Sequence, residues 1–216
     1  VHEPSGWDGS SALPVVLVFH GGGGNAEGTK EHVGMDDTAD AHGFLVVYPE
    51  GVGKRRLGKH FGTWNGGYCC GPAMEQGVDD VAFVGQLLDE VAGRWPVDEK
   101  RIYATGISNG GVMSLALACR LADRIAAVAP IGSPGADPDC APSRPVPVLL
   151  FHGTEDNCAP FDGGETCGGC WSRFFEETLG VAVDAGDIHG CAGARQQLES
   201  WRAANTCSAE SAGTFL

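Results

Sequence analysis

One serine stands between glycines in the segment "GISNG", where Ser108 occupies the centre of a G-x-S-x-G pattern. The residues just before it, "RIYAT", predict a buried strand, and "NGGVMSLALACRLA" after it predicts a helix. A sharp strand-to-helix corner exposes the serine hydroxyl, and the flanking glycines let neighbouring backbone pass closely. The same pattern also occurs by chance in ordinary turns, but the strand before it and the helix after it favour a nucleophile.

Four glycines in "HGGGGN", from His20 to Asn25, directly follow the first apolar run of the chain. Backbone N–H groups of such a loop can converge on an oxyanion, together with the amide that follows a nucleophilic serine. We therefore expect the amides of Asn109 and of Gly22 or Gly23 to be the donors. A phosphate-binding glycine loop is the alternative, but neither of its usual patterns fits. We expect His20 itself to bond within the loop rather than to carry a proton.

A carboxylate follows the predicted buried strand "VPVLLFH" on the short loop "GTED". From this position Asp156 can orient an imidazole base, with Glu155 as the neighbouring alternative. A solvated loop carboxylate is the alternative without function, but the order serine then aspartate favours a catalytic role. His189 is the only histidine after Asp156 and the only candidate base within the chain, although a lone loop histidine is more often a bystander.

The cysteine content indicates an exported, disulfide-bonded protein, because a reducing cytosol rarely maintains so many disulfides. The odd count leaves one thiol free or paired outside the chain, and the pairing pattern stays open. Cys69 and Cys70 indicate structural disulfides rather than chemistry, because adjacent cysteines can each pair with a distant partner. "CGGC" has the spacing of a redox or zinc pair, but its glycine-rich setting favours structural disulfides. The nine cysteines are Cys69, Cys70, Cys119, Cys140, Cys158, Cys167, Cys170, Cys191 and Cys207.

Composition bounds the class of protein and its partners. The 216 residues are 43% hydrophobic and carry a net charge of −14, which predicts one globular domain over residues 1–216. The acidic chain offers no basic face for a nucleic acid and no apolar run long enough to span a membrane. We expect a secreted monomer without metal or cofactor. The chain starts without Met or a signal peptide, so we expect it to be truncated at both ends.

Strand-like and helix-like segments alternate along the chain, which predicts an α/β fold with a mostly parallel sheet and helices on both faces. We expect a loop-dominated excursion, held by disulfides, between Gly163 and Gly190. The stretch between Ile131 and Val146 is too short for a large lid. The predicted strands are "PVVLVF", "FLVVYP", "RIYAT", "IAAVAPI" and "VPVLLFH", and the predicted helices are "MDDTADAHG", "VDDVAFVGQLLDEVAGRW", "NGGVMSLALACRLA" and "GARQQLESWRAANTC".

Together, "HGGGGN", "TWNGGYCCGPA", "VDDVAF", "VDEKRIYATGISNGG" and "HGTED" resemble secreted esterases of the poly(3-hydroxybutyrate) depolymerase and feruloyl-esterase group, near carbohydrate esterase family 1. The resemblance runs from about Leu13 to Asp162. It implies an α/β-hydrolase fold, with Ser108 as nucleophile and Asp156 as the acid of the triad. By the same resemblance the amides of Gly22 and Asn109 form the oxyanion hole.

The resemblance also implies that Trp64 and Asn65 lie near the active-site mouth and bind substrate. Such enzymes hydrolyse carboxylic esters without a cofactor, on small or polymer-borne substrates such as feruloyl, acetyl, short-chain or polyester-type esters. Their histidine usually follows the helix that corresponds to "QQLESWRAAN", so the resemblance places the base beyond Leu216 and argues against His189. The alternative function is a non-catalytic binding module with the same fold, which gives no reason to retain both the serine corner and the glycine loop.

Overall fold

The structure is a computed structural model that describes residues 1–56, 59–135, 137, 139–168, 170 and 188–208. Within these ranges the strands are β1 (Leu13–Phe19), β2 (Leu45–Val47), β3 (Val52–Arg56), β4 (Lys59–Thr63), β5 (Val97–Ile107), β6 (Ala127–Ile131), β7 (Gly163–Cys167) and β8 (Ile188–Ala192). The helices are α1 (Ala26–Val33), α2 (Met35–His42), α3 (Pro72–Glu75), α4 (Asp80–Arg94), α5 (Asn109–Arg120) and α6 (Ala194–Ala204).

A parallel sheet with the strand order β2-β1-β5-β6 forms the centre of the molecule. Parallel neighbours require crossover connections, and the helices between these strands supply them. The predicted strand "VPVLLFH" is reduced to two isolated parallel bridges beside β6, Val128 to Val148 and Ile131 to Phe151. The predicted α/β class with a parallel sheet is confirmed.

Side chains of β1 alternate between two cores, as expected for a strand that is covered on both faces. Val15, Leu17 and Phe19 belong to the larger core, which also contains buried residues of α4 and α5. Val16 and Val18 contact the smaller core, to which α2 contributes. Helices therefore cover the sheet on both faces, and the strand ends are left free for a site.

The start of α4 is set by an aspartate cap. The Asp79 carboxylate accepts a hydrogen bond from Ala82 N at 2.9 Å, which selects Asp79 over its neighbour as the capping residue. Asp80 is instead buried and accepts from Asn65 N at 2.7 Å, and burial raises the pKa of this carboxyl group. Asp80 thereby ties α4 to the segment that follows β4.

Eight of the nine cysteines form four disulfides, and one cysteine is free. Cys69 and Cys70 pair with each other rather than with distant partners. Cys207 is exposed and unpaired, which accounts for the odd count. The two cysteines of "CGGC" pair with different partners, as structural disulfides do. The remaining disulfides are Cys119–Cys140, Cys158–Cys170 and Cys167–Cys191.

The excursion predicted between Gly163 and Gly190 is a loop only in part. It begins as β7, and its last residues belong to β8, which pairs with β7 in an antiparallel manner. Residues 169 and 171–187 of this prediction lie outside the described part of the chain. Among the described helices, of which α4 is the longest with 15 residues, none combines the length and apolar character needed to cross a bilayer.

Candidate active site

Ser108 stands alone between the end of β5 and the start of α5, with a φ of 54° and a ψ of −120°. Two glycines make this corner possible because the end of β1 passes very close to it. A Cβ atom added at Gly106 would lie 2.8 Å from the carbonyl oxygen of Phe19, and one at Gly110 only 2.4 Å from it. The G-x-S-x-G pattern is thus required by packing, and it projects the serine beyond the sheet edge.

The glycine loop after β1 lies against this corner. A Cβ atom added at Gly22 would lie 3.6 Å from the Cβ of Asn109. The amide of Gly23 donates to Gly62 O at 2.8 Å, so it is already used. The amides of Gly22 and Asn109, by contrast, have no hydrogen-bond partner among the described residues. The geometry therefore favours Gly22 over Gly23 as an oxyanion donor beside Asn109.

His20 is fully buried and anchors the glycine loop from behind. Its Nδ1 donates to Gly21 O at 2.8 Å, and its Nε2 accepts from Gly51 N at 3.0 Å. Burial is the main cause of the lowered pKa of this imidazole, so the ring is neutral at neutral pH. Its bonds within and beside the loop agree with the predicted structural role.

The structure places the side chain of Trp64 in the core rather than at the active-site mouth. The Trp64 side chain is 0% exposed, packs against Phe19 and His20, and donates from its indole N–H to His20 O at 3.1 Å. Asn65 uses its side chain to bond backbone, with Nδ2 donating to Val78 O at 2.8 Å. The Trp64 side chain therefore supports the loops around the site from the core, whereas Asn65 is half-buried and its contact with substrate stays a prediction.

The Asn109 side chain has a role that the sequence analysis missed. It is buried, and its Oδ1 accepts from Trp64 N at 2.7 Å while its Nδ2 donates to Trp64 O at 2.9 Å. These two hydrogen bonds resemble the pairing of neighbouring strands, and they fix the segment after β4 to the first residue of α5. The available signal was an amide side chain at the start of an otherwise apolar helix.

Asp156 lies on the loop after Phe151, beside the end of β6. Its Oδ1 accepts from Cys158 N at 2.8 Å and from Ala159 N at 2.9 Å, which fixes the orientation of the carboxylate. Its Oδ2 lies 3.2 Å from the position that a Cβ of Gly132 would occupy. Glu155 is exposed to solvent, so the geometry favours Asp156 over Glu155 as the acid.

Backbone hydrogen bonds along the sheet edge connect the serine corner, residues 106–110, to the acid loop, residues 152–159 that follow Phe151. Ser108 N donates to Ile131 O at 2.8 Å, and Gly132 N donates to Phe151 O at 2.8 Å. The carboxyl ends of β5, β6 and the bridged segment therefore meet at one edge. This edge is the usual position of a site in an open parallel sheet.

His152 is a further residue that sequence analysis did not single out. Its buried ring lies at the start of the acid loop and bonds Ala159 O through Nε2 at 2.6 Å. Since Ala159 N in turn donates to Asp156, the ring steadies the turn that orients the carboxylate. Its position four residues before the acid, at the end of a buried run, was the available signal.

A cleft of about 440 Å³ opens directly over the serine. The β3–β4 hairpin and α3 form one wall, and the acid loop and the residues after β7 contribute to the other. The lining is mostly apolar and glycine-rich. It consists of Gly22, Gly23, Phe61, Thr63, Cys70, Gly71, Pro72, Glu75, Ser108, Asn109, Pro134, Cys158 and Gly168.

The base of the triad stays a prediction. His189 lies in β8, where its backbone pairs with Thr166 of β7, and its side chain lies outside the described part of the structure. No side chain among the described residues bonds Ser108 Oγ. The second candidate, a histidine beyond Leu216, lies outside the described residues as well.

Solved structures share the fold of this chain. A variant of pOPH in complex with DMSO superposes with a TM-score of 0.59 at 18% identity, over 97% of this chain and 70% of that one. A thermostable esterase superposes with a TM-score of 0.54 at 20% identity, over 73% of this chain and 43% of that one. Identities this low establish the fold alone, and the fold is that of the α/β-hydrolases.

Residues 4–134 match the family described as Esterase PHB depolymerase, and the chain belongs to that family. This confirms the family to which the motifs pointed. The match includes the glycine loop, the Trp64 segment and the serine corner, and it ends before the acid loop.

Curated relatives extend the similarity further along the chain. Feruloyl esterase B of Piromyces equi is 33% identical over 97% of this chain. Feruloyl esterase C of Emericella nidulans is 32% identical over 76% of it, and a bifunctional acetylxylan esterase/xylanase of Neocallimastix patriciarum is 31% identical over 73%. The chain spans 36%, 56% and 21% of these three proteins, respectively.

Proposed function

We propose that this protein is a serine carboxylic-ester hydrolase that works through an acyl-enzyme. The observation that carries the proposal is the arrangement at Ser108, whose positive φ presents it to the cleft. The amides of Gly22 and Asn109, which have no partner among the described residues, lie at the same cleft. Backbone N–H groups that face the cleft in this way can donate to an oxyanion that forms on a bound ester. Membership in the Esterase PHB depolymerase family supports the same chemistry.

In the proposed mechanism Ser108 Oγ attacks the carbonyl carbon of the ester while its proton passes to a histidine. The amides of Gly22 and Asn109 donate to the resulting oxyanion, and Asp156 stabilises the imidazolium. The C–O bond to the alcohol then breaks, and the histidine returns its proton to the departing oxygen. A water molecule attacks the acyl-enzyme by the reverse sequence and releases the acid.

The remaining requirement is the histidine itself. Oδ1 of Asp156 is occupied by two backbone amides, which leaves Oδ2 to accept from an imidazole N–H. We propose that a histidine supplies this imidazole, and His189 is the candidate within the chain. His189→Ala tests that candidate, because loss of the base removes most of the activity. Wild-type activity in this variant would exclude His189 as the base.

We propose esters with feruloyl, acetyl, short-chain or polyester-type acyl groups as substrates, either free or carried on a polymer. The names of the relatives include feruloyl and acetylxylan esterases. The cleft over Ser108 is lined largely by apolar and glycine residues, which suits a neutral ester rather than an ionic substrate.

We propose that the protein acts outside the cell as a monomer. Four disulfides among the described residues support an oxidising compartment, since such bonds rarely persist in a reducing cytosol. Expression of the protein in the bacterial periplasm and in a reducing cytosol tests this point. Soluble, disulfide-bonded protein is expected only from the periplasm, and equal yields of active reduced protein would contradict it.

Hydrolysis of p-nitrophenyl acetate by the wild type and by Ser108→Ala tests the proposed function. The wild type is expected to show a burst of p-nitrophenol equal to the enzyme concentration, followed by a slower steady state. Ser108→Ala is expected to lose the burst and at least about 10³-fold in kcat, since the residual rate comes from binding and the oxyanion hole. A folded wild type without activity on any ester would favour the non-catalytic binding module.

A further inference from the structure

The disulfide between Cys69 and Cys70 differs from the other three in what it can stabilise. Its cysteines are adjacent in sequence, whereas the others are separated by 12, 21 and 24 positions. A disulfide stabilises a fold mainly by restricting the unfolded chain, and the effect grows with the length of the closed loop. Adjacent cysteines enclose no intervening residue, so this contribution is nearly absent. The reason for this disulfide must therefore be sought in its surroundings.

Those surroundings are the cleft and the oxyanion hole. Cys69 is fully buried, while Cys70 lines the cleft together with Ser108. Nδ2 of Asn109 lies 3.9 Å from the Cys69 sulfur and 3.8 Å from the Cys70 sulfur. The side chain that fixes the Trp64 segment thus also contacts both sulfurs. The disulfide is held against the first residue of α5, whose amide is a proposed oxyanion donor.

The side of Ser108 on which Asp156 and the base lie indicates which part of an ester contacts this disulfide. The base must reach the departing alcohol oxygen in order to protonate it, and Asp156 orients the base from the acid loop. The alcohol therefore leaves past the wall that contains Cys158 and Gly168. The acyl group, which stays on Ser108, extends along the other wall, where Phe61, Cys70 and Pro72 lie.

We propose that the Cys69–Cys70 disulfide is a specificity-determining element that forms an apolar wall of the acyl pocket. This inference rests on the proposed function. Cys70 is the cysteine of this pair that lines the cleft, and its disulfide sulfur has no hydrogen-bonding proton. Sulfur is polarisable and makes favourable contacts with aromatic rings. The wall contacts the acyl group beyond its carbonyl carbon. It therefore favours large apolar or aromatic acyl groups and contributes little to an acetyl ester.

The variant Cys69→Ser/Cys70→Ser tests this wall with p-nitrophenyl esters that differ only in the acyl group. For an aromatic acyl ester such as the ferulate, kcat/KM is expected to fall about tenfold, mainly through a higher KM, because the contact exists in ground and transition states alike. For the acetate, kcat/KM is expected to change less than twofold. Cys69→Ala/Cys70→Ala, whose side chains suit a buried site, gives the same comparison if the serine variant folds poorly.

Cys119→Ser/Cys140→Ser is the matched control, because it removes a disulfide whose cysteines do not line the cleft. It is expected to lower the melting temperature but to leave the ferulate-to-acetate ratio of kcat/KM unchanged. Phe61→Ala changes an exposed residue on the same wall and is expected to lower this ratio in the same direction as the disulfide variant.

Labelling of Ser108 by a fluorophosphonate separates failure of this inference from failure of the proposed function. If the Cys69/Cys70 variants are labelled at the wild-type rate but keep the wild-type ferulate-to-acetate ratio of kcat/KM, the proposed role of the disulfide is wrong while the proposed function stands. The assignment of the acyl side would be overturned if the disulfide variant changed kcat/KM according to the alcohol of the ester while the acyl group was kept constant. An unchanged ferulate-to-acetate ratio of kcat/KM in Phe61→Ala would overturn it as well. A wild type that does not label would refute the proposed function and this inference with it.

Discussion

At Ser108 the backbone takes a conformation that a residue with a side chain rarely adopts, at a cost of about 1–3 kcal/mol. The surrounding contacts hold it there, since Gly106 and Gly110 pack against the backbone of Phe19 without room for a methyl group. The amide of Asn109 has no hydrogen-bond partner among the described residues. Asn109 is the first residue of α5 and lines the same cleft. A strained serine beside free donors is the pattern expected of a nucleophile.

The carboxylate of Asp156 is expected to be required for activity. Asp156→Asn is expected to lower kcat for p-nitrophenyl acetate by about 10⁴, because an amide favours the wrong tautomer of the histidine. The exposed neighbour provides the control, and Glu155→Gln is expected to remain within about twofold of the wild type. Equal losses in the two variants would show that Asp156 is not the acid.

At the scale of elements, the glycine loop depends on the β3–β4 hairpin behind it. The loop bonds the hairpin from Gly23 N to Gly62 O and from Gly62 N to Gly24 O, both at 2.8 Å. The His20 ring fills the space between them, since a Cβ at Gly51 or at Gly62 would lie about 3 Å from it. The position of the oxyanion donor at Gly22 is therefore set by two strands and a buried imidazole.

His20 predicts how stability changes with pH. Burial lowers the pKa of its imidazole in the folded state below the ordinary value of 6.5. As pH falls below 6.5 the unfolded chain binds a proton that the folded chain does not, so the free energy of unfolding decreases until the folded pKa is reached. Above pH 6.5 this contribution is fully present.

Urea unfolding at pH 7.5 and pH 5.5 measures this effect. His20→Gln is expected to be less stable overall, but to lose less stability than the wild type between these two pH values. His42→Gln changes an exposed histidine and is expected to keep the wild-type dependence. An unchanged dependence in His20→Gln would show that this ring does not govern stability in that range.

At the scale of the whole molecule, the disulfides divide into two kinds. Cys119–Cys140, Cys158–Cys170 and Cys167–Cys191 close loops around the fold, whereas Cys69–Cys70 closes none. The Cys119–Cys140 bond spans 21 positions and joins the end of α5 to the segment after β6. Its stabilising effect belongs to the fold rather than to the cleft.

Removal of this bond by Cys119→Ser/Cys140→Ser is expected to lower the free energy of unfolding by about 3 kcal/mol, as loop-closure entropy predicts. Chemical denaturation measures the loss. Cys69→Ser/Cys70→Ser serves as the comparison and is expected to lose much less. A larger loss in the comparison variant would show that the adjacent pair stabilises the fold directly.

Much of this architecture follows from sequence pattern. The apolar runs at β1, β5 and β6 and the periodicity of α4 and α5 predict a parallel sheet between helices, and the glycines around Ser108 predict the corner. These features depend on local spacing, which a sequence displays directly. The same reasoning predicts Asp156 as the acid, from its place after an apolar run.

Other features depend on contacts between distant segments. The buried position of Trp64 involves Asn109, 45 positions away, whose side chain bonds both backbone groups of Trp64. The predicted strand "VPVLLFH" is only bridged to β6 at two points, although its composition is that of a full strand. Tertiary context decides such cases, and composition alone does not reveal it.

The most direct test of the central claim is the intact mass of the folded protein before and after treatment with a fluorophosphonate. A single adduct is expected, mapped by peptide analysis to Ser108 and absent from Ser108→Ala, because only a serine with a working base and oxyanion hole reacts. A folded protein that gains no adduct would show that Ser108 is not an activated nucleophile and would favour a binding module with a hydrolase fold.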